Sequence, residues 1–177
     1  MKFLILALLS SSLIFAASID TKKSFIQWSA EKITGSGHTG KIFFKEGNIE
    51  IKDEKIQSGS FTVDMTSLTN EDLEGEWRDK FLAHMKSDDF FEIKKYPTSS
   101  FKITSVTGKT IKGELTIKGK TQPAKFSYKK DGDFFVGDLS FNRTKFNVIY
   151  NSASFFKNLG DKTIKDTVKL SFKFKTK

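Results

Sequence analysis

Residues 168–175 alternate strictly between apolar and polar side chains. Val, Leu and Phe fill every second position, and Lys or Ser fills the positions between them. A period of two is typical of a β-strand with one face buried and the other in water. The same period recurs in residues 61–65, 101–103, 113–117 and 126–128, so the pattern predicts several short amphipathic strands.

Short turn-forming sequences separate these strands. A glycine with a polar neighbour occurs in residues 46–48, 107–109, 118–120 and 131–133. Such sequences supply the positive φ that tight hairpin turns need. Because many short strands are joined by hairpins, and no long crossover segment is present for a parallel sheet, the chain is predicted to form an antiparallel sandwich or barrel.

Residues 71–85 depart from this period and predict a helix. Their apolar positions follow helical spacing rather than alternation. These positions are Leu73, Trp77, Phe81, Leu82 and Met85. Thr69 and Asp72 resemble a capping box at the start of this segment. The pattern predicts an amphipathic helix of about four turns, inserted between strands.

The N-terminal residues 1–17 predict a signal peptide, and residues 18–177 predict a single domain. Lys2 precedes an apolar stretch that ends in small residues, which is the build of a secretory leader. The stretch is shorter than the roughly 20 apolar residues that span a bilayer, although an uncleaved anchor is the alternative. We therefore expect a periplasmic or secreted protein.

The composition narrows the functional classes. The chain has no Cys, which excludes thiol catalysis, thiolate metal sites and disulfides. Its formal net charge is +9 at pH 7, yet Arg78 and Arg143 are its only arginines. Nucleic-acid readers use Arg forks for guanine and phosphate, so we expect no nucleic-acid partner. The scattered lysines predict a solvated outer face with weak attraction to anionic membrane surfaces.

Several stretches of the sequence carry a resemblance to one protein family. Residues 84–101 read HMKSDDFFEIKKYPTSSF, and residues 113–123 read GELTIKGKTQP. Trp28, residues 38–40 and residues 63–68 fall upstream in the expected order. On these features the chain resembles the YceI-like periplasmic polyisoprenoid-binding proteins.

The resemblance covers residues 24–175, nearly the whole predicted mature chain. Residues 142–146 keep only the Arg and Phe of the family's basic-aromatic step. The resemblance implies a mainly β fold: an antiparallel, up-and-down, lipocalin-like β-barrel of about eight strands, with the amphipathic helix inserted.

The resemblance also implies a ligand, since proteins similar to this one hold an isoprenoid or another long-chain lipid inside the barrel. Phe occurs 19 times, and aromatic walls suit a long apolar molecule. Each buried methylene contributes about 0.8 kcal/mol to binding. A tightly packed barrel would use the same residues, so the pattern alone leaves a filled interior as the alternative. We expect no enzyme activity, no metal and no cofactor other than a bound lipid.

Strand parity and the predicted helix assign the candidate lipid contacts. Inward-facing apolar side chains would form the wall of a cavity, and the helix would close one end. The strand candidates are Trp28, Ile42, Phe44, Phe61, Val63, Met65, Phe101, Ile103, Leu115, Ile117, Phe126, Leu170 and Phe172. The helix candidates are Trp77, Phe81, Leu82 and Met85, with Phe90 and Phe91 near the same rim.

Two polar residues are candidates for contact with a lipid head group. His38 follows a Gly-Ser-Gly run, where it either donates to a head group or makes a structural hydrogen bond. Arg143 either holds a polar head group or pairs with a carboxylate such as Asp64 or Asp138, and the ion pair is the favoured alternative.

Together these features predict a periplasmic carrier that shields a polyisoprenoid, a quinone or a fatty-acid-like amide inside its barrel. The alternative is a filled barrel that acts as a protein-interaction module or binds anionic surfaces. A homodimer and a transient contact with the membrane surface are further expectations.

Overall fold

The computed structural model describes residues 15–177. Residues 1–14 of the predicted signal peptide lie outside the described residues. Its last three residues form, with Ser18, the short strand β1 (Phe15–Ser18), which pairs antiparallel with residues 48–51. Among residues 15–177, no helix combines the length and the apolar character needed to cross a bilayer.

The described part of the chain contains nine strands and one α-helix. After β1 they are β2 (Phe25–Lys32), β3 (Gly37–Lys52), β4 (Lys55–Asp64), α1 (Gly75–Lys86), β5 (Thr98–Thr107), β6 (Thr110–Ile117), β7 (Lys120–Asp131), β8 (Phe134–Asn142) and β9 (Ile164–Phe174). Short 3-10 turns occupy residues 65–67, 143–146 and 160–162. The helix thus lies in the connection between β4 and β5, as the sequence pattern indicates.

Strands β2–β9 close into an antiparallel barrel of eight strands, to which β1 adds one extra strand. Each barrel strand pairs with the next one along the chain, and β9 returns to pair with β2, with Leu170 opposite Trp28. Strand β3 is long enough to pair with β2 along its first part and with β1 and β4 along its second part. The predicted lipocalin-like barrel with one inserted helix is confirmed.

Two glycines let aromatic rings lean over neighbouring strands inside the barrel. A Cβ added at Gly113 would collide with the ring of Phe101, and a Cβ at Gly137 would come within 2.6 Å of the ring of Phe172. The missing side chains therefore provide the space that these two large residues occupy.

Three of the predicted hairpin turns are confirmed. They join β5 to β6, β6 to β7 and β7 to β8, and each contains a glycine with positive φ. These glycines are Gly108, Gly119 and Gly132, with φ of 61°, 69° and 56°. Glycine reaches this left-handed region without the steric cost that a Cβ imposes.

The predicted turn around Gly47 is wrong, because this residue lies within the long strand β3. A Cβ at Gly47 would approach side-chain atoms of Ile19 and Phe61 to 3.0 Å, so the glycine permits close packing rather than a turn. The chain reverses instead at Asp53 and Glu54, which have φ of 49° and 59°. Neither residue is a glycine, so the turn signal at this position is weak.

The end of the barrel where β3 turns into β4 is filled by side chains, and we call it the packed end. Its most buried residues are about 1% exposed. They are Ile19, Ile49, Ile56, Ile111 and Phe135. The hydroxyl of Tyr128 accepts a hydrogen bond from the backbone N–H of Ile56 at 3.0 Å, which satisfies a buried polar group. The packed end is a conventional hydrophobic core.

Replacement of Phe135 by Ala tests the stabilising role of the packed end. We expect the free energy of unfolding to fall by about 3–5 kcal/mol, because the ring is fully buried and its removal leaves a void. Urea denaturation followed by circular dichroism measures the change. The matched control is Phe43→Ala, since Phe43 is 38% exposed on the outer wall. Equal losses in the two variants would contradict the assignment.

Candidate functional site

The other half of the barrel contains an apolar cavity. Its volume is about 150 Å³. All eight barrel strands contribute to its wall, and Met65, Leu68, Met85 and Phe91 contribute from the connections at the helix end. Among the wall side chains, only Ser99 and Ser100 carry a hydroxyl, and none carries a formal charge. The cavity can therefore solvate a hydrocarbon but offers little to a charged molecule.

Twelve of the thirteen strand candidates for lipid contact lie on the cavity wall. They are Trp28, Ile42, Phe44, Phe61, Val63, Met65, Phe101, Leu115, Ile117, Phe126, Leu170 and Phe172. Met85 and Phe91, expected at the rim, also line the cavity. The structure brings these residues together, while their contact with a lipid stays a prediction.

The remaining strand candidate and three of the helix candidates do not line the cavity. Ile103 is buried in the core opposite Gly113 and is not part of the cavity wall. Trp77 is 77% exposed, so its predicted role in closing the barrel is wrong. Phe81 and Leu82 pack against the core from the helix but do not reach the cavity. Among the residues of α1, only Met85 lines the cavity.

Further wall residues were missed in the sequence. They are Ile26, Ala30, Leu68, Ser99, Ser100, Leu139, Phe141, Val168 and Phe174. Some carried a usable signal, since Leu139 and Phe141 continue a period of two from Phe135. Val168 and Phe174 share the parity of Leu170 and would follow from the same alternation.

Aromatic rings form the deep part of the cavity. The ring centroids of Phe61 and Phe174 are 5.0 Å apart, and those of Phe126 and Phe172 are 4.9 Å apart. Phe44 lies 5.9 Å from Phe61. Tilted and edge-on contacts of this kind contribute about 0.5–1.5 kcal/mol each beyond the area that they bury. The aromatic wall is thus held in place by its own contacts before any ligand arrives.

Helix α1 covers the open half of the barrel, but it begins at Gly75, so its predicted start is four residues too early. Thr69 and Asp72 do not form the predicted capping box. Instead, the side-chain oxygen of Asn70 accepts a hydrogen bond from the N–H of Leu73 at 2.8 Å. This local turn competes with helix formation and delays the first helical residue.

The segment before the helix pairs with a free part of β3. The N–H groups of Thr69 and Glu71 each donate to a carbonyl of β3 at 2.9 Å. The indole N–H of Trp28 donates to the carbonyl of Thr69 at 3.2 Å. A Cβ at Gly40 would collide with that same carbonyl, so glycine permits the close approach. The cover is therefore tied to the wall residue Trp28.

His38 lies at the junction between the barrel rim and α1, outside the cavity. Its Nδ1 is 3.1 Å from a carboxylate oxygen of Asp72, and its ring centroid is 4.5 Å from that of Phe81. Phe81 in turn stacks on Trp28 at 6.2 Å. This chain of contacts fixes the position of the helix over the cavity, which is a structural role for His38.

A second histidine holds the other end of the helix. His84 Nε2 is 2.9 Å from a carboxylate oxygen of Asp89. Its ring makes edge-on contacts with Phe90 at 5.0 Å and with Tyr150 at 4.7 Å. Tyr150 belongs to the connection between β8 and β9, so these contacts join the helix to a second segment of the rim.

Arg143 is buried and makes structural contacts. Its guanidinium donates to the backbone carbonyls of Val148, Ile164 and Lys165 at 2.8–3.1 Å. The favoured ion pair is present, but its partner is Asp166 at 3.6 Å rather than either predicted carboxylate. The two predicted carboxylates make other contacts. Asp64 caps the turn at residues 65–67, and Asp138 accepts from Ser171.

The environment of this pair sets the protonation of Asp166. Burial acts to raise the pKa of its carboxyl group, but hydrogen bonding from Ser152 and Ser154 and the charge of Arg143 outweigh burial and lower the pKa below the ordinary 3.8. Ser154 donates to it at 2.7 Å. Burial also lowers the pKa of Arg143, although this group stays charged. The pair fastens the β8–β9 connection to β9.

A closed antiparallel barrel with an apolar cavity and a helix over one end defines a lipocalin-like protein. Residues 18–176 match the YceI-like domain. The chain belongs to the YceI-like family. Among residues 15–177, no group of three or more His, Asp or Glu side chains is arranged to hold a metal ion.

Curated relatives and solved structures agree with the family. A UPF0312 protein of Pseudomonas putida is 32% identical over 136 residues, which cover 72% of this chain and 69% of that protein. One of Vibrio parahaemolyticus is 36% identical over 112 residues, or 60% of this chain and 53% of that protein. BcnA of Burkholderia cenocepacia superposes with a TM-score of 0.66 and 21% identity, covering 88% of this chain and 98% of BcnA. A polyisoprenoid binding domain from Saccharophagus degradans superposes with a TM-score of 0.59 and 13% identity, covering 94% and 100%.

Stability below neutral pH tests the Arg143–Asp166 pair. Because the folded pKa of Asp166 lies below its unfolded value of 3.8, the pair stabilises the protein above about pH 4, and this stability is lost as the pH falls through the folded pKa. Asp166→Asn should therefore lower the free energy of unfolding at pH 7 and flatten its dependence on pH in acid. Urea denaturation at a series of pH values measures both effects. Asp133→Asn is the control, since that carboxylate is 80% exposed, and a matching change there would refute the assignment.

Proposed function

We propose that this protein binds one long-chain apolar lipid, such as a polyisoprenoid or a quinone, in the cavity and carries it through the periplasm. The observation that supports this most directly is the uncharged, mostly hydrocarbon wall that all eight strands supply. The tail would lie among the Phe rings, and the head group would stay near the helix-covered mouth. A filled barrel acting as an interaction module is the less favoured alternative, because the half of the barrel below α1 contains a cavity.

The energetics are compatible with retention of a lipid. Burial of ten methylenes contributes about 8 kcal/mol, which corresponds to a dissociation constant near 1 μM before the costs of ordering the ligand. A preformed wall lowers those costs, since few side chains have to be reordered. A chain much longer than ten carbons would therefore bind without any strong polar contact.

The chemistry of the wall favours binding over catalysis. No His, Asp, Glu or Lys lines the cavity, so the wall offers no general base. The hydroxyl of Ser99 donates to the sulfur of Met65 at 2.8 Å, which leaves it without an activating partner. The name of the structural neighbour from Saccharophagus degradans, a polyisoprenoid binding domain, supports the same assignment by fold. Export to the periplasm and a homodimer stay predictions.

Obstruction of the cavity is the direct test of this proposal. Leu115→Trp, with Ile117→Trp as a second variant, should weaken lipid retention by about tenfold or more, because the indole displaces two or more methylenes. Native mass spectrometry of protein purified without detergent, followed by extraction and identification of the released molecule, gives the readout.

The matched control for obstruction is Glu114→Trp, which places the same side chain on the outer face of the same strand. Circular dichroism confirms that each variant is folded. If both inward variants retained as much lipid as the outward one, or if the wild type refused added quinones and isoprenoids, the proposal would fail.

Exchange of the lipid should depend on how firmly α1 is held. Phe81→Ala removes the ring that contacts His38 and Trp28, and we expect the rate of lipid release to rise by about tenfold. Transfer of a fluorescent isoprenoid analogue to acceptor vesicles measures this rate. Trp77→Ala is the control on the same helix, since Trp77 is 77% exposed and should leave the rate unchanged. Equal rates for the two variants would refute the role of the helix as a cover.

A further inference from the structure

Apolar side chains are exposed beside the mouth of the cavity. On the connection between β8 and β9, Phe155 is 55% and Phe156 is 45% exposed. On the β2–β3 hairpin, Ile33 is 57% exposed. Large apolar side chains grouped on a surface indicate a contact with another body.

A backbone hydrogen bond connects the two segments that carry these residues. The N–H of Ile33 donates to the carbonyl of Thr163 at 3.1 Å, which joins the hairpin to the β8–β9 connection. The N–H groups of Phe155 and Phe156 both donate to the carbonyl of Ser152, at 3.0 and 2.9 Å, so a tight turn presents the two rings outward. We call the surface formed by Ile33, Phe155 and Phe156 the mouth patch.

The mouth patch directly adjoins the cavity wall. Ala30 lines the cavity near the end of β2, three residues before Ile33. Phe141 near the end of β8 and its partner Val168 in the first half of β9 line it, and both strands lead into the connection. The pairing of β2 with β9 also breaks register between Ala30 and residue 32, so the wall is irregular at this point. A bulge at a barrel rim bends the strand and changes the direction in which its side chains point, and such bulges are common near functional sites.

Charge is distributed unevenly around the mouth. Exposed lysines flank the mouth patch at positions 32, 157 and 162, and Asp161 is the one acidic residue within residues 143–165. Residues 71–79, which contact β3 through Glu71 and Asp72, carry five carboxylates and a single Arg. The mouth is therefore basic on the side of the patch and acidic on the side that leads into α1.

We propose that the mouth patch docks onto the anionic surface of a lipid bilayer, with Phe155 and Phe156 inserted among the lipids. Basic residues next to exposed apolar rings are the combination that binds anionic interfaces. The acidic side would be repelled from the same surface, which would set the orientation of the mouth. This inference rests on the proposed function, because docking would let the lipid pass between bilayer and cavity without crossing water.

A second copy of this chain fits the patch less well. A two-fold symmetric contact places the same patch on both sides, so it brings two sets of the lysines at positions 157 and 162 into one interface. Like charges brought together in this way oppose association. An anionic lipid surface has the complementary charge, and we therefore favour it over a dimer.

Flotation of the full-length purified protein with vesicles tests the docking. Vesicles of phosphatidylethanolamine and phosphatidylglycerol should bind the wild type, and pure phosphatidylcholine vesicles should bind it less. The double variant Phe155→Ser/Phe156→Ser should bind the anionic vesicles about tenfold or more weakly. Phe43→Ser is the apolar control, because Phe43 is 38% exposed on the outer wall of the barrel.

Charge reversal separates a local contact from overall electrostatics. Lys157→Glu/Lys162→Glu should weaken binding by about tenfold or more at low salt, with the difference shrinking as salt rises. Lys112→Glu/Lys125→Glu changes the net charge equally at exposed positions paired across β6 and β7. Equal losses of binding in the two charge-reversal variants would overturn the proposal. Equal binding of Phe155→Ser/Phe156→Ser and Phe43→Ser would overturn it as well.

Two further measurements keep docking distinct from lipid binding. Native mass spectrometry of Phe155→Ser/Phe156→Ser should show that it retains lipid as the wild type does. Transfer of that lipid from this double variant to vesicles should be slower than from the wild type. Loss of lipid from the wild type itself would refute the proposed function rather than the docking. A wild-type dimer that the serine variant converts to monomers in sedimentation would assign the patch to a second copy and overturn the membrane proposal.

Discussion

The antiparallel pairing of β2 with β9 is the constraint on which the rest of the structure depends. It closes the sheet on itself, so each barrel strand has a hydrogen-bonded neighbour on both sides. Closure at eight strands also fixes the diameter, which suits either a filled interior or one slim ligand. Alternation along each strand then directs the apolar side chains inward around the whole ring. The cavity is therefore a consequence of closure.

The barrel separates stability from binding by placing them in different halves. The packed end, with Phe135 and Tyr128, buries its side chains almost completely and supplies an ordinary core. In the other half the rings of Phe101 and Phe172 lean over glycines, and space remains between the walls. An unfilled apolar cavity destabilises a protein in proportion to its volume. The packed half offsets that cost, and an occupying lipid would remove part of it.

Polar contacts at the rim organise the mouth. The interaction of His84 with Asp89 and Tyr150 connects the helix to the β8–β9 connection. Arg143 and Asp166 in turn hold the base of that connection, because the guanidinium reaches backbone carbonyls at both of its ends. A surface segment that is fixed at its base can present exposed rings in a defined position. Arg143 thus supports the mouth indirectly and does not need to touch a ligand.

Alternation along the chain left a sandwich or a barrel open, and the family resemblance favoured the barrel. The sequence pattern also predicted the strands and twelve wall residues, because a period of two assigns side chains to one face wherever a strand stays regular. It did not determine the bend of β3 at Gly47 or the exposure of Trp77, since both depend on neighbours that are distant in the chain. The start of α1 depends on the pairing of Thr69 with β3, and the partner of Arg143 lies on another strand. Whether the interior is open or filled was also decided only in three dimensions. The same apolar residues can line a cavity or fill the interior. How far their rings reach across the closed barrel decides which of the two forms.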